Sequence, residues 1–122
     1  MASLEKKSFD NPDETKAPDK TLAQTVNFGT VAATKITVHP GWSWSSCIKP
    51  HVGGDSCQAG HVGMVLKGSL RVQHDDGTEV VVTAGDAYSF APGHDAWVEG
   101  DEAVEVYEFN KTGMTYAVWE QA

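Results

Sequence analysis

From Val26 onward the chain is cut into short runs rich in Val, Thr, Tyr, Trp and Phe, with Gly, Pro and Asp between them about every eight to twelve residues. Runs this short cannot bury a helical face, and no segment after Val26 carries a helical stripe. The pattern predicts an all-β sandwich or barrel. Strands are expected at Val31–Val38, Ser56–Leu66, Ala87–Phe90, Trp97–Val98 and Ala103–Phe109, with Trp42–Cys47 also extended. Ser69–His74 and Thr78–Thr83 form a hairpin around Asp75-Asp76-Gly77, Lys49–Gly54 is a loop, and a last strand is expected at Tyr116–Trp119. Residues 1–25 are polar, contain Pro12 and Pro18, and show no periodicity. They are expected to form an N-terminal arm or extended strap on a domain spanning 26–122.

At 122 residues the chain is one domain, long enough for a real core without disulfides. Seventeen acids against nine bases give a net charge of -8. That balance argues against a protein held on nucleic acid or on anionic lipid by neutralising phosphate. No apolar run approaches the ~20 residues of a spanning helix, and the start, Met1–Lys7, is too polar for a signal peptide. The expectation is a cytoplasmic protein with no membrane and no nucleic-acid partner. Cys47 and Cys57 are therefore read as free thiols.

Gly85, Ala91, Gly93 and Ala96 keep the spacing of the second cupin motif, with Ala at its Pro and His positions. Counting back from Gly68, His61 takes the Glu position of the first motif, Cys57 its second His and Asp55 its first. On these residues the chain resembles the cupin superfamily. It is similar in particular to small bacterial cupin-domain proteins carrying the phrases found here at Asp55–Gln58, Asp75–Glu79, Pro92–Val98 and Phe9–Glu14. The resemblance implies a jelly-roll β-barrel with an N-terminal arm, its pocket in the barrel interior. It implies a small-molecule cupin, a metal-dependent enzyme of oxygenase, lyase or isomerase type acting in the barrel pocket, with a metal-free dehydratase or isomerase as the alternative.

Cys57 and His61 share one face of their strand by parity, yet a straight strand would hold them about 13 Å apart. Gln58-Ala59-Gly60 must bend for both to reach one ion. His94 lies two residues before the vacated motif position and shares its parity, and His51 or Cys47 is available to complete the set. The metal ligands expected are Cys57, His61, His94 and His51. Thiolate with imidazole suits zinc, iron(II) or copper(I). Without a metal, His61 is the natural general base, with Tyr88, Tyr107 or Glu105 beside it; of these, His61 and Tyr88 are the catalytic candidates. A third possibility is a non-catalytic ligand-binding or sensor barrel lined by Trp42, Trp44, Val65, Phe90 and Trp97.

With Cys57, His61, Gly63 and Val65 inward, Val62, Met64 and Leu66 form an apolar stripe outside. Trp42 and Trp44 make a second stripe if Cys47 points in. Such stripes need a cover, and a homodimer is expected, with the arm crossing near the interface on Phe9 and Leu22.

Overall fold

The computed structural model describes residues 3–111. Nine strands are present among them: β1 (Glu14–Lys16), β2 (Thr21–Asn27), β3 (Val31–Val38), β4 (His61–Lys67), β5 (Ser69–His74), β6 (Glu79–Thr83), β7 (Ala87–Phe90), β8 (His94–Val98) and β9 (Val104–Lys111). They form two sheets with every pairing antiparallel, ordered β1-β2-β3-β9-β4-β7 and β6-β5-β8. The chain passes from one sheet to the other after β4, β6, β7 and β8, which winds it into a jelly roll. Inward residues of both sheets interdigitate, with Val65, Val104 and Val106 facing Leu70, Val72, Val82 and Val98. Fully burying a side chain of this size contributes about 1.5–3 kcal/mol. No described helix is long and apolar enough to cross a membrane.

Period-two alternation placed most strands correctly. Val65 is buried, whereas Val62, Met64 and Leu66 are 42 %, 40 % and 47 % exposed. A bulge at Leu66 shifts the register, so that Val65 faces Val106 and Lys67 faces Glu105.

Three expectations are corrected. Glu14–Lys16 and Thr21–Asn27, where no strand was expected, are strands of the large sheet, so of the two forms expected for the N-terminal segment it takes the extended strap. Its polar residues hid the strands because β1 is an exposed edge strand that offers the core nothing. Phe9 lies beyond it, stacked on Tyr107 with ring centroids 5.4 Å apart.

Trp42–Cys47 is extended only at its start, where the Val98 amide donates to the Trp42 carbonyl and Ser43 bridges Trp97. Trp44–Ile48 then coils into a π-helical turn that continues as the short helix α1 (Lys49–Val52). Ser43 Oγ accepts from the Ser46 amide as an N-cap, and Pro50 stands at the first turn of α1. Coiling turns Trp42, Trp44 and Cys47 all inward, so the expected second apolar stripe does not exist.

The expected strand Ser56–Leu66 is broken. Cys57 bridges His94 at the start of β8, and β4 begins only at His61. The expected strand Tyr116–Trp119 lies outside the described residues.

Candidate functional site

The break before β4 builds the site. The Cys57 amide donates to the His94 carbonyl at 2.7 Å, and the Gly93 amide donates to the Cys57 carbonyl at 2.7 Å, tying Cys57 to the small sheet. His61 pairs with Phe90 in the large sheet. Gln58-Ala59-Gly60 crosses between the sheets and folds back, bringing Cys57 Sγ to 3.7 Å from His61 Nε2. His94 closes the group: one donor atom each from Cys57, His61 and His94 lies within 4.8 Å of the others. Cys57 and His94 are buried and His61 is half-buried.

Each imidazole is oriented through its other nitrogen. His94 Nδ1 donates to the Ala91 carbonyl at 2.8 Å. His61 Nδ1 lies 2.8 Å from Glu108 Oε1, and the Tyr88 hydroxyl donates to Glu108 Oε2 at 2.6 Å. With acceptors at both Nδ1 atoms, the neutral tautomers leave a lone pair on each Nε2.

Burial pushes the Cys57 thiol up, but hydrogen bonds from His61, His94 and the Ala59 amide outweigh it and bring it from 9.0 to about 6. Burial pushes His61 down, while the Glu108 charge and the hydrogen bonds to Cys57 and Glu108 raise it from 6.5 to about 10. In the metal-free protein the pair is therefore a thiolate beside an imidazolium near neutral pH.

No protein-family model and no curated protein sequence matches the chain. Solved structures do. A sugar phosphate isomerase of the cupin superfamily from Silicibacter pomeroyi superposes with a TM-score of 0.62 at 16 % identity, over 86 % of this chain and 74 % of that one. KdgF from a Halomonas species gives 0.56 at 16 % identity, over 79 % and 85 %. A cupin-like protein from Thermotoga maritima gives 0.52 at 14 % identity, over 74 % and 67 %. The chain has a cupin fold. Likeness at these identities is one of architecture, and chemistry has to be argued from the site.

Among the cupin motif positions, those held by Cys57 and His61 contribute to the cluster; Asp55 and Ala96 do not. His94 replaces the missing second-motif histidine from two residues earlier. His51 sits exposed on α1, outside the cluster, because the coil at Trp44–Val52 turns it to the surface. Cys47 is buried elsewhere, with Sγ 3.8 Å from Asp19 Oδ2. Of the three partners expected beside His61, Tyr88 is at the site, joined to His61 through Glu108, and Glu105 and Tyr107 are not. Glu105 pairs with Lys35 at 3.4 Å and Tyr107 stacks under Phe9, both on the outer face of the large sheet. Sequence reading missed Glu108. Its parity with buried Val104 and Val106 was the available signal, a carboxylate on the apolar face of its strand.

Proposed function

We propose that this chain is a small-molecule cupin enzyme of oxygenase, lyase or isomerase type, with one divalent metal ion held by Cys57, His61 and His94. The observation that carries this reading is the tautomer control, since both imidazoles are fixed through Nδ1 with Nε2 left for a ligand role, the arrangement typical of metal-binding histidines. Spacing agrees with it. Cys57 Sγ and His61 Nε2 are 3.7 Å apart and the His94 donor lies within 4.8 Å of both, so the three side chains would hold one ion between them after a small approach of the wider-spaced donors. A mixed thiolate–imidazole set favours zinc, iron(II) or copper(I). Cys57, His61 and His94 would hold the ion, and such an ion would supply Lewis-acid polarisation of a substrate oxygen. The chain's own part is to hold the His61 Nδ1 proton on Glu108, to brace that carboxylate with Tyr88, and to keep the donors out of bulk water.

Cobalt(II) added to chelator-treated protein should bind at one per chain and develop a thiolate-to-cobalt charge-transfer band. Cys57→Ser should lose the band, while His51→Ala should keep it. Protein that stays metal-free after dialysis against zinc, iron(II) and cobalt(II) would shift the assignment to a second reading. That reading is metal-free acid–base chemistry by His61, favoured by the unbroken hydrogen-bonded chain Cys57–His61–Glu108–Tyr88.

A further inference from the structure

β6 and β7 are edge strands of opposite sheets, and residues of both line one opening between the sheets. Val80 shows the opening: it pairs with buried Val72 and shares its inward direction, yet it is 45 % exposed. The gap is a cleft of about 300 Å³ with apolar walls of Val72, Val80 and Phe90, and it reaches His94. The Phe90 ring lies against both His94 and His61, with centroids 5.6 and 6.4 Å away. The cleft thus adjoins the Cys57–His61–His94 cluster.

Its electrostatics are one-sided. Among the described residues no Lys or Arg lines it, whereas Asp76 stands on its rim. The chain has nine cationic side chains in all, and Arg71 is its one arginine. Arg71 is held by Glu99 and Glu79 on the outer face of the small sheet, and Lys35 by Glu105 on the outer face of the large sheet. His74 is spent on local contacts: its Nδ1 lies 3.0 Å from the Asp76 amide nitrogen and 3.2 Å from Asp76 Oδ1, and its Nε2 donates to the Pro92 carbonyl at 2.8 Å. His94 Nδ1 is likewise spent on the Ala91 carbonyl. A phosphate seated between Val80 and Phe90 would leave water beside Asp76 with no lysine or arginine in the lining, in a molecule of net charge -8; the nearest cation would be the ion proposed beyond His94, at the end of the cleft where the reacting group and not the body of a substrate would lie. The Ser89 hydroxyl in the lining can pair with a hydroxyl or carbonyl group, whereas the Thr78 side chain is already hydrogen-bonded to Asp76.

We propose that the cleft between β6 and β7 holds the body of an uncharged substrate with an apolar portion, and that it rejects phosphorylated compounds. Its role as a substrate subsite rests on the reading of Cys57, His61 and His94 as the reacting centre. The separation matters because one structural relative is described as a sugar phosphate isomerase. The shared architecture does not carry that substrate class over to this cleft.

The test uses two probes with the same body, benzyl alcohol and benzyl phosphate, titrated into the full-length protein and followed by amide chemical shifts. Benzyl alcohol should shift Val80, Phe90 and Ala91, and benzyl phosphate should bind about tenfold or more weakly at neutral pH. Val80→Arg, placed on an exposed edge, should raise benzyl phosphate affinity by about tenfold or more; Thr78→Lys offers the same reversal if Val80→Arg does not fold. In the cobalt(II)-loaded protein, benzyl alcohol should also perturb the cobalt spectrum. Equal or tighter binding of benzyl phosphate to the unmodified protein, shifts confined to another surface, or no binding of either probe would overturn the proposal. Probe binding as described by a protein that takes up no cobalt would uphold the cleft's preference and overturn the metal centre alone.

Discussion

Glu108 sets the chemistry of the site without belonging to its donor cluster. Its carboxylate is shared between His61 Nδ1 and the Tyr88 hydroxyl, so it fixes both the imidazole's direction and its proton. Glu108→Gln keeps the shape and removes the charge, and should weaken cobalt(II) affinity about 10–100-fold in a competition titration. Unchanged affinity would mean that the carboxylate only packs there. Metal-free protein should report the same residues through pH. Between pH 6.5 and 9.0 the native pair holds one proton, on His61, and the unfolded chain also holds one, on Cys57. This pair's contribution to stability is therefore flat in that window. Below 6.5 the unfolded chain takes up a second proton and stability falls as pH drops towards about 6. Above 9.0 the unfolded chain loses its last proton and stability falls as pH rises towards about 10. Cys57→Ser removes the acid limb and leaves the His61 contribution, present below 6.5 and lost as pH rises. Denaturant unfolding across this range, with chelator present, should separate the two profiles; identical profiles would reject the thiolate–imidazolium pair.

Among the elements, β4 is the one that cannot be changed freely. Gly63 lies where β9 and Tyr88 close on it. A Cβ there would collide with the Tyr107 carbonyl oxygen and sit 2.9 Å from the Tyr88 hydroxyl and 3.0 Å from Glu108 Cγ. The missing side chain is what lets Tyr88 reach Glu108. Gly63→Ala should destabilise the protein by about 1–3 kcal/mol, read from denaturant midpoints. Adding Tyr88→Phe should recover only part of the loss, because the Tyr107 carbonyl stays. A neutral Gly63→Ala would show that the two sheets have more slack here than their contacts imply. The segment just before β4 matters for a different reason. Its backbone bonds go to the small sheet through Cys57, and that change of sheet turns a 13 Å span, approximately that of a straight strand, into a contact.

At the scale of the whole molecule, the described residues cover the outer face of the large sheet only in part. The strap places Phe9 on Tyr107, and the Phe9 carbonyl accepts from Gln24 Nε2 at 2.9 Å. Val62, Met64 and Leu66 remain exposed on β4. Three adjoining apolar side chains on a flat sheet face are the kind of surface a two-fold partner buries. Light scattering at tens of micromolar should give twice the 13.1 kDa chain mass. Met64→Lys should return it to the monomer value; a wild-type monomer would leave this face without a partner of its own kind.

Alternation and turn chemistry were enough to determine the all-β class, the hairpin at Asp75-Asp76-Gly77 and the inward parity of His61 and Val65, because these depend on neighbours two residues apart. The cupin spacing around Gly68 and Gly85 likewise pointed to Cys57 and His61. Long-range contacts determined the rest. β2 exists because β3 offers an edge to pair with, and β1 because β2 then offers another, not because their sequence alternates. Trp42 and Trp44 turned inward when Ser43 capped a coil, a local bond whose value depends on the barrel wall it closes. His94 reached the cluster and His51 did not, although both are plausible ligands in sequence. A donor's usefulness depends on where its backbone is anchored, and the anchors here are hydrogen bonds between residues tens of positions apart. Glu108 joined His61 across 47 positions in the same way, through strand pairing that no local pattern records.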